Sequence, residues 1–262
     1  MEALTPISGW QWIKQGFALF RRQPTEMSTL FVLYVFLSGL LSLIPHVGPA
    51  LRLILVPVFS MAFMQACADI ERGVRVYPRV LFTGFHMPAF KSLALLGLLH
   101  LSAALLALGV TTLLDGGVFY QAIHSATPLD EKTVEDPALA SSMFIAAATY
   151  LTLSLLLWFA PPLIAWKKMS VGKAIFFSFF SVLRALKAFL VYLFAWLVIG
   201  TALMLVLSIV LAALLDNLEL QLFALLPFAM MMMIVVQCSF YPSYAQVFGI
   251  PPLPEEGRDG AE

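Results

Sequence analysis

Apolar residues fall in six runs of about twenty, each bounded by short polar stretches. A helix of about twenty apolar residues crosses the ~30 Å hydrocarbon layer, where only a helix or a closed barrel satisfies its own backbone. The runs predict spans at 27–45, 47–67, 92–114, 142–166, 188–214 and 220–247. The last two exceed the minimum length, which predicts tilt or interfacial ends. The fold class that follows is all-α, a polytopic membrane helix bundle. Its six transmembrane helices form a single domain over residues 1–250, and the Pro-rich, charged stretch at 251–262 is expected to be a disordered cytoplasmic tail.

A shorter pattern precedes each odd-numbered span. In the first, Trp10, Ile13, Phe17 and Phe20 recur at helical spacing while Lys14, Gln15 and Arg21 lie elsewhere, and Ser8 is placed to cap the helix. In the third, 170–187, the apolar part is too short to cross, and Ser178, Ser181 and Ala185 form a small, weakly polar stripe. The second, 78–91, is broken by Gly84 and Pro88. Such segments read as basic interfacial helices that anchor the bundle, with a lipid-sensing collar as the alternative. The even-numbered spans share proline: Pro57 in the second, Pro161 and Pro162 in the fourth, Pro227 and Pro242 in the sixth. A repeated layout results, with an interfacial segment, an outward span and a proline-bearing return span occurring three times.

Composition agrees with lipid as the solvent. The chain is 61% hydrophobic and 11% charged, with a mean hydropathy of +0.93. A water-soluble chain of this length cannot enclose that much apolar side chain. Residues 1–26 lack the short apolar core and small-residue cleavage site of a signal peptide, so the first span is expected to be retained.

The zero net charge hides an asymmetry. Lys14, Arg21 and Arg22 precede the first span, Arg72, Arg75, Arg79 and Lys91 follow the second, and Lys167, Lys168, Lys173, Arg184 and Lys187 follow the fourth. The alternate connections hold Lys132 among Asp115, Asp130, Glu131, Glu135 and Asp136, and then Asp216 and Glu219. Lys and Arg stay on the cytoplasmic side. Both termini are therefore expected in the cytoplasm, with the 115–141 loop outside.

Chemistry-bearing groups are few. Arg52 lies inside the second span, where snorkelling to the outer surface competes with anion or headgroup binding. With Arg21, Arg22, Lys173 and Arg184 it makes up the candidate lipid or anion contacts. His100 has no His, Asp or Glu three or four residues away, and His46 sits at a turn, so neither suggests a metal or proton relay. Met61, Met64 and Cys67 share a face and are weighed as Cu(I) ligands against apolar filling; Met230 to Met233 point all round their helix and favour filling. Cys67 and Cys238 fall at the reducing side, where a structural disulfide is not expected. Nucleotide, dinucleotide, zinc-protease and serine-hydrolase motifs are absent, and no cofactor is implied. The basic segments are apolar-flanked, which suits lipid rather than nucleic acid.

The pattern Gly9-Trp10-x-Trp12-x-Lys14-x-x-Phe17-x-x-Phe20, the Ile44-Pro45-x-x-Gly48-Pro49 turn, Arg72-Gly73 and Ser170-Val171-Gly172-Lys173-Ala174-x-x-x-Ser178 resemble an uncharacterised family of bacterial six-span inner-membrane proteins. The layout is also distantly similar to the membrane domain of some glycerophosphodiester phosphodiesterases, without their catalytic domain. The resemblance implies the bacterial cytoplasmic membrane and brings no catalytic residue. Three functions are weighed. The first is a non-enzymatic scaffold, accessory or envelope-homeostasis protein, with membrane lipids and a second copy or other membrane proteins as partners. The second is a transporter or channel for an apolar or lipid-like cargo. The third is a lipid-headgroup enzyme using Asp69, Glu71 and Arg72.

Overall fold

Proline and short polar stretches set where the helices begin and end. A computed structural model describes residues 4–45, 47–124 and 137–251. His46, the acidic segment from 130 to 136 and the expected tail beyond Pro251 lie outside the described residues. Helix α1 (Pro6–Arg22) starts with proline in its first turn, where the missing N–H costs nothing. It stops at Gln23, because the residue before Pro24 is pushed out of the helical region. Helix α2 (Pro24–Ser42) turns into α3 (Gly48–Glu71). A 3-10 turn (Pro78–Phe82) and one helical turn, α4 (Thr83–His86), lead to α5 (Phe90–Asp115) and α6 (Val118–His124). Next come α7 (Pro137–Leu156), α8 (Ala160–Ala165), α9 (Val171–Arg184), α10 (Leu186–Leu214) and α11 (Leu218–Phe248). Among the described residues there is no strand.

Six helical stretches are long and apolar enough to cross a membrane: α2, α3, α5, α7 with α8, α10 and α11. The 29 residues of α10 extend to about 43 Å at 1.5 Å per residue, beyond the hydrocarbon thickness.

The fourth crossing is broken rather than kinked. Two consecutive prolines, Pro161 and Pro162, cannot donate to the preceding turn, and the helix stops at Leu156 and restarts at Ala160. Ser178 on α9 closes the gap. Its hydroxyl accepts from Phe159 N–H (3.0 Å) and donates to the Leu156 carbonyl (2.8 Å). Ser178, the first member of the weakly polar stripe, thus supplies hydrogen bonds that the broken backbone lacks.

The amphipathic segments pack against the spans. Helix α1 packs between the start of α10 and the end of α11. Its inward face is Ser8, Gly9, Trp12, Ile13, Gly16 and Leu19, while Trp10 is exposed and Phe17 and Phe20 are half-buried. Of the expected stripe of Trp10, Ile13, Phe17 and Phe20, Ile13 lies on the docked face, Phe17 and Phe20 flank it and Trp10 falls outside it. The reason is steric: the glycines let the backbones approach. A Cβ on Gly9 would collide with the Ala188 carbonyl, and one on Gly16 would sit 2.7 Å from Ser239 Cβ. In α9 the buried positions Ala174, Ser178 and Val182 follow the same four-residue step as Ser8, Trp12 and Gly16.

These contacts form a cycle. The 3-10 turn and α4 pack on α2 and α3, α9 packs chiefly on α7 and α8, and α1 packs on α10 and α11. Each basic segment thus covers the hairpin before it, and the first covers the last. Helix α3 lies deepest, touching α2, α5, α8 and α11. Burial concentrates at the end of the bundle that carries the basic residues, in the last turns of α3, in α8 and in α11 from Met232 to Tyr244. No residue from 193 to 231 is buried. The opposite halves of α10 and α11 therefore present apolar side chains such as Leu205, Ile209 and Phe223 outward.

Candidate functional site

Polar side chains gather where the last turns of α3, α8 and α11 meet, and most of them bond from one element to another. Gln65 sits in the apolar run of α3. Its Nε2 donates to Asp69 Oδ1 (2.9 Å) and its Oε1 accepts from Trp166 Nε1 (3.1 Å). Arg72 lies 4.0 Å from Asp69 and donates to the Pro251 carbonyl (2.7 Å). The Tyr241 hydroxyl of α11 donates to the Glu71 carboxylate. Beside them, Trp12 Nε1 donates to Gln246 Oε1 (2.6 Å), and Tyr192 and Ser239 share a hydrogen bond of 2.7 Å. Gln23, at the corner between α1 and α2, donates to the Val74 carbonyl and accepts from Val76 N–H. Glu26 pairs with Arg75 at 3.0 Å.

A cavity of about 1400 Å³ opens beside this network, between α3, the 78–89 segment, the first turn of α5 and the exit of α8. Gln65, Asp69 and Trp166 line it with polar groups of the network; Arg79, His86 and Lys168 are its basic residues; Val80, Phe82, Met87, Ile164 and Met169 are apolar. The guanidinium of Arg79 lies 5.5 Å from the ring centre of Tyr77, within cation–π range. Lys168 holds a backbone φ of 52°, uncommon for a residue with a side chain.

Of the candidate lipid or anion contacts Arg21, Arg22, Arg52, Lys173 and Arg184, none lines this cavity. Arg21 and Arg22 are exposed at the end of α1, Lys173 and Arg184 are exposed on α9, and Arg52 is exposed in the far half of α3. Asp69, Glu71 and Arg72 are brought together, but into the helix-tying network. His100 is buried, its Nδ1 3.1 Å from the Leu96 carbonyl one turn back, so with a proton on that nitrogen it bonds its own helix. Cys67 and Cys238 are free and buried, and Met61 and Met64 belong to the core. Among the described residues no cluster of His, Cys, Asp or Glu suits a metal ion. The cavity residues Gln65, Arg79 and Lys168 carried no signal of their own. One was hidden in an apolar run and two among loop charges, and only folding brings them together.

Six crossing-length helices, a core at one end and an apolar exterior at the other define a polytopic α-helical membrane protein. The chain belongs to the family of a probable inner membrane protein of Burkholderia thailandensis, to which it is 36% identical over 251 residues, covering 93% of this chain and 92% of that protein. It is accordingly a multi-pass protein of the inner membrane. No family model matches it, and no solved structure matches it.

Proposed function

We propose that the protein is a non-enzymatic scaffold or accessory factor of the inner membrane, with both termini in the cytoplasm. One observation supports this reading best: Asp69, Glu71 and Arg72 are all engaged by groups of the protein, Glu71 and Arg72 across to α11 and the residues that follow it. An enzyme acting on headgroups through Asp69, Glu71 and Arg72 needs those groups turned toward a substrate. Here Glu71 receives the Tyr241 hydroxyl and Arg72 reaches Pro251, while Asp69, which borders the cavity, accepts from Gln65 and lies 4.0 Å from Arg72. The basic end then faces the cytoplasm by the charge rule. The unburied apolar halves of α10 and α11 are available to lipid, to a second copy or to another membrane protein. Native mass spectrometry of the full chain, extracted with its lipids, tests this reading. A second copy or a specific co-extracted membrane protein supports it, and a partnerless monomer indifferent to lipid defeats it.

A second reading has one observation of its own. Discontinuous helices at mid-membrane form the sites of many transporters, and the fourth crossing is discontinuous. Ser178 already bonds the carbonyl and the N–H at that break, which argues for a sealed joint over a cargo site. Proteoliposomes that neither pass solutes nor scramble lipid above empty vesicles would remove the transporter reading.

A further inference from the structure

We propose that the outward face of α9 is a docking surface for acidic phospholipids of the inner leaflet, with Phe176, Phe177 and Phe180 among the upper acyl chains and Lys173 and Arg184 on the headgroups. The first observation is that α9 has two unlike faces. Ala174, Ser178 and Val182 are buried where the helix packs on α7 and α8, whereas Phe176, Phe177, Phe180 and Leu183 are exposed. The rings form one patch, with the centre of Phe176 4.6 Å from that of Phe180 and 5.8 Å from that of Phe177. At 3.6 residues per turn, Lys173, Phe177, Phe180 and Arg184 fall within about 60° of one another, opposite the docked face. The two cations therefore bracket the aromatic patch, about 16 Å apart along the axis.

The second observation is placement. The 14 residues of α9 extend to about 21 Å, short of the ~30 Å hydrocarbon layer. Helix α9 follows the fourth crossing and precedes the fifth, so it stays within one leaflet. Aromatic rings flanked by cations are what an amphipathic helix offers a membrane surface. The third observation is charge. Lys173 and Arg184 are exposed and, among the described residues, neither forms an ion pair. No Asp or Glu occurs from residue 137 to 215, so this stretch carries charge of one sign. Charge also chooses between occupants. A second copy docked on the same face by a two-fold axis would set these cations against its own, whereas acidic headgroups complement them. On the opposite face Ser178 bonds Leu156 and Phe159 across the break. One helix thus carries both the lipid contact and the joint of the fourth crossing.

This partner deepens the proposed function, which it needs only for the leaflet to be the inner one. Vesicles with the same lipids in both leaflets give the same result for an inverted protein, and side-specific labelling reads the orientation separately. The test uses the full chain with Phe180 replaced by the photo-crosslinker p-benzoylphenylalanine. The protein is reconstituted in vesicles of equal phosphatidylglycerol and phosphatidylcholine, irradiated and weighed intact by mass spectrometry. The expected result is an adduct of one phospholipid, phosphatidylglycerol over phosphatidylcholine by about fivefold, the scale of one basic residue at an acidic surface. Lys173→Gln with Arg184→Gln is expected to keep the adduct, because the rings stay in the acyl layer, and to bring the two lipids close to parity. The same crosslinker in place of Phe176 is expected to behave alike, and it decides the matter if the first variant fails to fold. A chain-to-chain crosslink in place of the lipid adduct, as a second copy would give, overturns the assignment. The absence of any lipid adduct, as a face turned to water or kept for another protein would give, overturns it too. It is equally overturned if the preference for phosphatidylglycerol is missing, or survives the loss of both cations.

Discussion

At the scale of residues, Ser178 shows how one hydroxyl can decide whether a broken span is tolerable. A buried N–H and a carbonyl stripped of their helical partners each cost free energy in a medium without water. Ser178 answers both, from a helix that does not cross the membrane. Ser178→Ala should therefore destabilise the protein by about 1–3 kcal/mol, the range for leaving buried polar groups unpaired. Ser181→Ala, on the less buried side of the same helix, should cost little. Thermal unfolding of both variants in one detergent checks this, and equal midpoints would refute the joint. The sequence displays a Ser178–Ser181–Ala185 stripe and a Pro-Pro pair. It does not display that the first answers the second, because that pairing depends on how α9 is rotated against α7 and α8. Gln65 was illegible for a related reason: a single amide in an apolar run acquires meaning only beside Trp166 and Asp69.

At the scale of elements, α1 separates two ways in which an amphipathic helix hides its apolar face. A helix resting on lipid buries its bulkiest side chains and has no use for glycine on that face. A helix docked on other helices needs small residues where backbones meet. Gly9 and Gly16 lie on the buried face of α1, and the exposed Trp10 lies off it. The periodicity of large residues identified the helix, and the direction of its docked face was carried by the small ones. The distinction is measurable. Trp12 is fully buried, contacts the Phe189 ring at 5.2 Å and donates to Gln246. Trp12→Ala should cost about 3–5 kcal/mol, as for a large aromatic removed from a core. Trp10→Ala should cost under about 0.5 kcal/mol, as for an exposed position. Equal small losses in detergent, with weakened vesicle binding in both variants, would return α1 to the interface. The same contrast applies at Gly9, where Gly9→Leu must force α1 away from Ala188 and should lower the unfolding midpoint more than Trp10→Ala.

At the scale of the whole molecule, the number and order of the spans were legible because hydrocarbon imposes a length and a polarity that few side-chain choices can disguise. The cyclic packing was foreshadowed only as a repeated layout, since each basic segment covers the hairpin before it rather than the one it introduces. That arrangement places all three basic segments around the one end where the core is dense, and it ties the two ends of the chain together through Trp12 and Gln246. Sidedness is thereby tied to packing. If the charge rule places the Arg72–Arg79 loop in the cytoplasm, then α1, the start of α10 and the end of α11 must follow, because α1 touches both. One labelling experiment tests the whole set. Cys67 and Cys238 are buried, so a membrane-impermeant maleimide should find little background on the native chain. Asp216→Cys, in the turn between α10 and α11, should react in intact cells. Lys187→Cys, at the first turn of α10, should react only after the membrane is opened. These two positions lie at opposite ends of a single helix of 29 residues, so they cannot lie on the same side while α10 spans the bilayer. Labelling of Lys187→Cys alone in intact cells would invert the molecule and move the dense end, its cavity and its cations to the outer leaflet. Labelling of both would take α10 out of the membrane, and with it the docking surface that α1 requires.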